Sequence, residues 1–219
     1  LYFGLFVIVA MALNFQYGNA GIPNMGCAIQ VIVGGFTVSA ITTRILFIIV
    51  EFANRDLLPW KTSKDWIYNN PTNVGIVNSF LKENAMLAVC MLLFSLVFSM
   101  ILGAIVGWIM SIPAIRLRDT YLMIVFIIMA DAAQLIGRNI PIISGGTLGM
   151  FVPNVVIWYP GDRAVILAII TLILGLASFL IFRNILNSPY GRLMRAIREN
   201  DYTVESIGKD VTVIRRNIL

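Results

Sequence analysis

Long apolar runs alternate with polar segments along the chain, and the lengths of these runs predict helices that cross a membrane. A helix needs about 20 apolar residues to span the hydrocarbon core of a bilayer. The apolar runs lie at about residues 1–13, 25–50, 85–115, 121–137 and 164–182. The first is the remnant of a span, and residue 211 begins the entry to a further one. We therefore expect one all-α transmembrane domain over residues 1–219, incomplete at both ends.

The polar segments differ in charge, and this difference predicts the side of the membrane on which each one lies. Residues 51–84 form a polar loop whose charges sum to zero, and residues 138–163 are rich in glycine, proline and asparagine. The turn at 116–118 and the segment 183–210 carry clustered arginines. Cytoplasmic loops are enriched in lysine and arginine. We therefore expect the two arginine-rich segments in the cytoplasm and the other two outside.

Composition supports a membrane protein and excludes several kinds of chemistry. The chain is 59% hydrophobic and only 12% charged, whereas about a quarter of the residues are charged in soluble domains. Its net charge of +5 comes from basic residues near the ends of apolar runs, which argues against a nucleic-acid partner. Because the chain has no histidine, histidine-based catalysis and histidine metal sites are excluded.

The stretch SPYGRLMRAIREND, residues 188–201, predicts an amphipathic helix on the cytoplasmic side. Ser188 suits the N-cap and Pro189 the first helical position. One face of the helix carries the apolar residues Tyr190, Leu193, Met194 and Ile197, and another carries Arg192, Arg195 and Arg198. Such a helix could lie on anionic lipid or serve only as a basic anchor. The acids and the glycine that follow favour docking to a protein, and we expect the apolar stripe to fill a groove on that partner.

These residues resemble a known motif. SPYGRLMRAIRE, followed by Gly208, is similar to the cytoplasmic coupling motif of the membrane subunits of ABC importers. More narrowly, it resembles the permeases for branched-chain amino acids. RLRDTYLMIV (116–125), ISGGTLGM (143–150) and LNFQYGNAGIPNMG (13–26) resemble other segments of that family. The likeness covers nearly the whole chain and favours the M-type of the two related membrane subunits.

The resemblance implies a helical-bundle permease domain with a cytoplasmic coupling helix and no catalytic residues. The implied activity is ATP-driven inward transport of branched-chain or related small amino acids. The implied partners are two ABC ATPase subunits, a second homologous permease subunit, an extracellular solute-binding protein and the lipid bilayer. ATP and magnesium would be bound by the ATPase, and this chain would bind no cofactor. The protein would be a multi-pass protein of a prokaryotic plasma membrane.

Two sets of residues are candidates for function. The residues that match the coupling motif are Ser188, Pro189, Gly191, Arg192, Arg195, Ala196, Arg198, Glu199 and Gly208. The candidate translocation path comprises Asn14, Tyr17, Gly18, Gly21, Asp131 and Gln134. Asp131 is the only acid in a predicted span. Because a charge in the membrane is costly, the first hypothesis for such a residue is a functional role. Alternatively, it forms an interhelical contact with Arg44 or Gln134, and the polar break at 14–21, which includes Gln16, is an ordinary connection.

The solute is the least determined property. Between Gly21 and Gly34 the family usually carries Ser-Leu-Gly-His-Ala-Ala-Phe-Phe, whereas this chain has IPNMGCAIQVIV. The same type of importer for urea, amides or a sugar is therefore an alternative. An ion-coupled secondary transporter is a further alternative. It would use membrane acids for coupling, however, and the predicted spans contain only one, Asp131. The glycines of ISGGTLG lack the lysine of a Walker motif, so we interpret them as an external turn.

Overall fold

The computed structural model describes residues 2–53, 69–114, 117 and 119–219. Within these ranges every regular element is helical, which confirms the predicted all-α class. The α-helices are α1 (Tyr2–Leu13), α2 (Cys27–Phe36), α3 (Thr43–Ala53), α4 (Asn70–Glu83), α5 (Ala85–Ala114), α6 (Asp119–Asn139), α7 (Pro141–Ser144), α8 (Arg163–Asn187), α9 (Pro189–Glu199), α10 (Asp201–Ser206) and α11 (Val211–Ile218). Two π-helical segments, π1 (Asn14–Asn19) and π2 (Thr37–Thr42), and a 3₁₀ turn at Gly146–Leu148 complete the described elements.

Four helices in the described ranges are long and apolar enough to cross a membrane. They are Cys27–Ala53, Ala85–Ile112, Thr120–Asn139 and Arg163–Asn187. In the most apolar windows of the second and fourth, only 6% of the residues are buried within the chain. Their side chains therefore face lipid or another protein, as expected when the surroundings are apolar rather than aqueous. The chain is a polytopic membrane protein.

The chain divides into two compact units. The first unit contains Leu1–Gln30, Ile105–Ala130 and Ala164–Leu219, and the second contains Val31–Ala104 and Asp131–Arg163. The candidate coupling segment and the polar break at 14–21 both belong to the first unit. Asp131 and Gln134 belong to the second.

The second half of the predicted loop 51–84 is helical, so that part of the prediction is wrong. Val74, Val77 and Leu81 follow one another at helical spacing on α4 and are buried. They pack in one apolar cluster with Phe47 and Val50 of α3. The exposed polar residues of α4 concealed this buried stripe in the sequence. Residues 54–68 of the same predicted loop lie outside the described residues.

The glycine-rich segment 138–163 is held by side chains of neighbouring helices in the second unit. Arg44 donates from Nη2 to the carbonyl of Ile142 at 2.7 Å, and Ser39 donates to that of Ile143 at 3.0 Å. The amide of Phe151 donates to Oδ1 of Asn70 at 2.7 Å. Gly145 has a φ of 77°, and a Cβ there would lie 2.2 Å from the carbonyl oxygen of Gly149. The segment is therefore an ordered packing element that requires glycine, and not only a turn.

Candidate coupling site

Helix α9 begins as the sequence predicts. Ser188 has an extended backbone, and its hydroxyl accepts a hydrogen bond from the amide of Tyr190 at 3.2 Å. The same hydroxyl donates to the carbonyl of Ile185 in the last turns of α8 at 2.5 Å. Pro189 occupies the first turn, where its missing N–H costs nothing. Ser188 therefore caps the new helix and ties it to the preceding span.

Gly191 and Arg195 fix the junction between α8 and α9. A Cβ on Gly191 would lie 2.2 Å from the carbonyl oxygen of Leu186. Arg195 donates from Nε to the carbonyl of Gly191 and from Nη2 to that of Leu186, both at 3.3 Å. A cation at the carbonyl end of a helix is stabilised by the helix dipole. Helix α9 therefore follows the span at a tight joint.

Met194 and Ile197 of the apolar stripe of α9 are buried within the chain, and Tyr190 and Leu193 are partly buried, so the expectation that the stripe fills a groove on a partner is wrong. Met194 is 0% exposed and Ile197 is 3% exposed. Tyr190 also points inward, and its hydroxyl donates to the carbonyl of Ile214 at 3.4 Å. Burial raises the pKa of Tyr190 above its ordinary value. An amphipathic pattern specifies a buried face but not the surface that covers it, and here the chain covers its own helix.

The outward surface of the segment consists of other residues. Arg192 and Glu199 are exposed on α9, and Ala196 is partly buried. Tyr202 is 81% exposed and Ile207 is 70% exposed, on and directly after α10. Large exposed apolar side chains on a polar segment are candidates for protein contacts. Sequence reasoning missed these two, although an isolated tyrosine and isoleucine in a polar stretch were the available signal.

Two further features order the end of this segment. Gly208 lies two residues after the end of α10, and its φ of 77° is a conformation that favours glycine. Asp201 of α10 pairs with Arg215 of α11, with Oδ2 and Nη2 2.5 Å apart. The chain therefore reverses after α10, and the ion pair joins the two short helices. This fold holds Tyr202 and Ile207 at a defined place on the first unit.

The polar break at 14–21 contains a buried hydrogen-bonded group centred on Gln16. Gln16 is 8% exposed, and its Oε1 accepts from Nδ2 of Asn24 at 3.0 Å and from Sγ of Cys27 at 3.5 Å. Its Nε2 donates to the carbonyl of Ile218 in α11 at 3.2 Å. Asn14 and Tyr17, the predicted path residues, have exposed side chains instead.

The structure brings the coupling motif and the polar break into contact. Arg198 donates from Nη1 to the carbonyl oxygen of Gly18 in π1. Gly21 has a φ of 72°, and a Cβ there would lie 3.0 Å from Cγ of Arg198. Two groups of residues that the sequence assigned to separate roles therefore form one site in the first unit.

A cavity of about 250 Å³ adjoins π1 between α1 and α8. Phe15 and Phe182 line it and stack with their ring centroids 4.9 Å apart. Asn14, Arg183 and Asn187 provide its polar wall. As for metals, no group of three or more histidine, cysteine, aspartate or glutamate side chains is close enough to hold an ion in the described parts of the chain.

Asp131 and Gln134 lie one helical turn apart on α6 in the second unit, and both side chains are exposed on the isolated chain. Arg44, one of the candidate partners of Asp131, uses Nη2 to hold the carbonyl of Ile142. The two path candidates therefore face the surroundings of this chain. Their assignment to the path stays a prediction.

The membrane-spanning helices and the capped helix α9 agree with the comparison with known families. The family model of the branched-chain amino acid transport system / permease component matches residues 1–217. The chain therefore belongs to this family. The resemblance to the permeases for branched-chain amino acids, first seen in the coupling motif, is confirmed.

Individual relatives agree with this assignment. A probable branched-chain amino acid transport permease protein LivM of Methanocaldococcus jannaschii is 32% identical over 98% of this chain and 60% of its own length. The LivM of a high-affinity branched-chain amino acid transport system of Salmonella typhimurium is 24% identical over 52% of this chain and 33% of its own length. The chain thus spans about 60% of the first relative. No solved structure matches it significantly.

Proposed function

We propose that this chain is a membrane subunit of an ATP-driven importer that carries branched-chain or related small amino acids inward. Family membership and the names of the LivM relatives support the solute class. The proposed assembly contains two ABC ATPase subunits, which bind ATP and magnesium, a second permease subunit and an extracellular solute-binding protein. It would lie in a prokaryotic plasma membrane.

One observation supports the coupling role, namely that the chain packs one face of the segment 188–210 against itself and leaves a surface of charged and apolar residues exposed. The buried Met194 and Ile197 anchor α9 to the first unit. Arg192, Tyr202 and Ile207 are exposed, and we call these three residues the docking surface. Interfaces bind through a few aromatic or arginine anchors surrounded by weaker contacts. A rigid element with such anchors can receive force from a partner and pass it to the attached spans.

In the proposed mechanism, the ATPases bind ATP, close, and pull on the docking surface. Because α9 is joined to α8 through Gly191 and Arg195, the pull tilts a membrane span. The permease would thereby shift between inward-open and outward-open states, whose populations depend on which one the closed ATPases bind better. The chain itself would supply no catalytic group.

The docking surface is tested by replacing Tyr202 with alanine and Ile207 with serine in the full-length protein, co-expressed with its ATPase subunits. Loss of two anchors should weaken ATPase binding by about 30-fold or more, as for interface hot spots. Co-purification from detergent at several ATPase concentrations measures this change. Phe151→Ala is the matched control, because Phe151 is 65% exposed on the predicted external side. Retention of normal ATPase binding by the double variant would refute the docking surface.

Solute identity is tested separately, by uptake into proteoliposomes that contain the complete importer. ATP-dependent, orthovanadate-sensitive uptake of leucine, isoleucine or valine is the expected result. Uptake of urea, an amide or a sugar instead would favour the alternative that follows from the departure at 22–33. Uptake driven by an ion gradient without ATP would contradict the importer altogether.

A further inference from the structure

We propose that Arg198 is a positioning residue that transmits movement of the coupling helix α9 to the π-helical segment π1, and is not an ATPase contact. The proposal rests on the proposed importer function and adds an internal connection to it. Arg198 shares one face of α9 with Arg192 and Arg195 and matches the coupling motif, so an ATPase contact would be the expected role. The geometry gives Arg198 a different task.

Among the described residues no backbone amide donates to the carbonyl of Gly18, and the side chain of Arg198 donates to it instead. The three amides that could reach it lie at positions 21, 22 and 23. Gly21 donates to the carbonyl of Tyr17 and Ile22 to that of Gln16, both at 3.1 Å. Pro23 has no N–H. The guanidinium of Arg198 donates to this orphan carbonyl from Nη1. A cation at the carbonyl end of a helical segment also interacts favourably with its dipole.

The aliphatic part of Arg198 fits against Gly21. A Cβ on Gly21 would lie 3.0 Å from Cγ and 3.4 Å from Cβ of Arg198. With a φ of 72°, Gly21 also has a backbone conformation that other residues adopt only with strain. The glycine therefore gives the arginine stem close access to the backbone, and both ends of the side chain are engaged.

The connection leads from the docking surface to the membrane helices. Arg198 lies on the helix that carries Arg192, and π1 continues α1 directly. On the other side of π1, Gln16 accepts from Asn24 and Cys27, at the start of the span Cys27–Ala53. Movement of α9 therefore displaces the Gly18 carbonyl and, through π1, the ends of two helices. π-helical turns inside α-helices are frequently found at functional sites.

The experiment uses the full-length permease assembled with its ATPases in proteoliposomes, as wild type, Arg198→Gln, Arg198→Lys and the control Arg216→Gln. Arg216 is exposed on α11 and belongs to neither the docking surface nor π1. Arg198→Gln should keep the normal amount of bound ATPase, while solute transported per ATP hydrolysed falls about tenfold, as expected for loss of a hydrogen bond from a charged group. Arg198→Lys should recover most of the coupling, because lysine keeps one cationic donor and the stem carbons next to Gly21. Arg216→Gln should transport normally.

A second measurement reports on π1 directly, and its wild-type arm does not depend on any variant folding. Hydrogen exchange of the amides of residues 14–22 should change when ATP and orthovanadate are added to the wild-type complex, and should not change in Arg198→Gln. An unchanged wild-type segment would overturn the proposal.

Three other results would also overturn it: loss of ATPase binding by Arg198→Gln, full coupling in that variant, or a lysine variant as defective as the glutamine one. A wild-type permease that binds no ATPase would instead defeat the proposed function itself.

Discussion

Hydroxyl side chains in the span Cys27–Ala53 decide how the helix passes through π2. Thr43 is 0% exposed and donates from Oγ1 to the carbonyl of Val38 at 2.9 Å, which completes the wide turn. Thr42, its neighbour, is 2% exposed, and its Oγ1 has no hydrogen-bond partner in the part of the chain that the structure describes. Two adjacent threonines with the same burial therefore differ in what their hydroxyls contribute.

Thr42→Val and Thr43→Val should change stability in opposite directions. Valine has nearly the shape of threonine, so Thr42→Val removes an unpaired buried hydroxyl and should raise stability by up to about 1 kcal/mol. Thr43→Val removes a hydrogen bond and should lower stability by about 0.5–1 kcal/mol, the usual range within membranes. Thermal unfolding of the purified full-length protein in detergent measures both. Equal losses in the two variants would mean that Thr42 has a polar partner.

Asp131 places a single carboxyl group within a membrane span. An acid in a membrane span is costly unless it meets a polar partner or a water-filled path. Its exposure on the isolated chain means that the described residues do not shield it. We expect Asp131→Asn to insert and assemble normally and to reduce uptake at least severalfold. Uptake assays on membranes with matched protein amounts test this. If the variant takes up solute at the wild-type rate, Asp131 has only a packing role.

At the scale of elements, the joint between α8 and α9 depends on the absence of one side chain. Gly191→Ala would place a Cβ 2.2 Å from a backbone oxygen of Leu186. Because that neighbour is backbone and cannot rotate away, the two helices must move apart, at a cost of about 1–3 kcal/mol. Gly103→Ala is the matched control, since a Cβ there meets nothing within 4 Å. We expect Gly191→Ala to lower the thermal stability and the coupling efficiency, and Gly103→Ala to leave both unchanged or slightly raise stability. Equal behaviour of the two variants would show that the joint tolerates a side chain.

Sequence patterns predicted the elements better than their contacts. The Ser188–Pro189 start and the helical spacing of Met194 and Ile197 were sufficient to predict α9. They were not sufficient to show that the buried face packs on the chain itself, because amphipathicity does not name the covering surface. The contact between Arg198 and Gly18 joins residues 180 positions apart, so no local pattern could reveal it. Helix α4 was missed for a different reason, since its three asparagines equal its three buried apolar residues in number and hide the apolar stripe.

At the scale of the whole molecule, the arrangement in the membrane follows from arginine placement and from the parity of the spans. Along the chain, α4 is followed by the span α5, the predicted turn at 116–118 and the span α6. The predicted loop at 138–163, the span α8 and the docking surface come next. If arginine-rich segments stay in the cytoplasm, α4 must lie outside and the docking surface inside. The orientation therefore rests on the same residues as the proposed coupling role, so a reversed topology would remove both.

Cysteine labelling tests this orientation in intact cells. The background is Cys27→Ser with Cys90→Ser, because Cys27 is buried and Cys90 is exposed along the span Ala85–Ile112. Gly75→Cys is the external reporter, since Gly75 is exposed on α4 and a Cβ there meets nothing within 4 Å. Lys209→Cys is the cytoplasmic reporter, exposed after α10. An impermeant thiol reagent should label position 75 in intact cells, and position 209 only after permeabilisation. Labelling of position 209 from outside would show that the topology is reversed. The docking surface would then lie outside the cell, where no cytoplasmic ATPase could bind it.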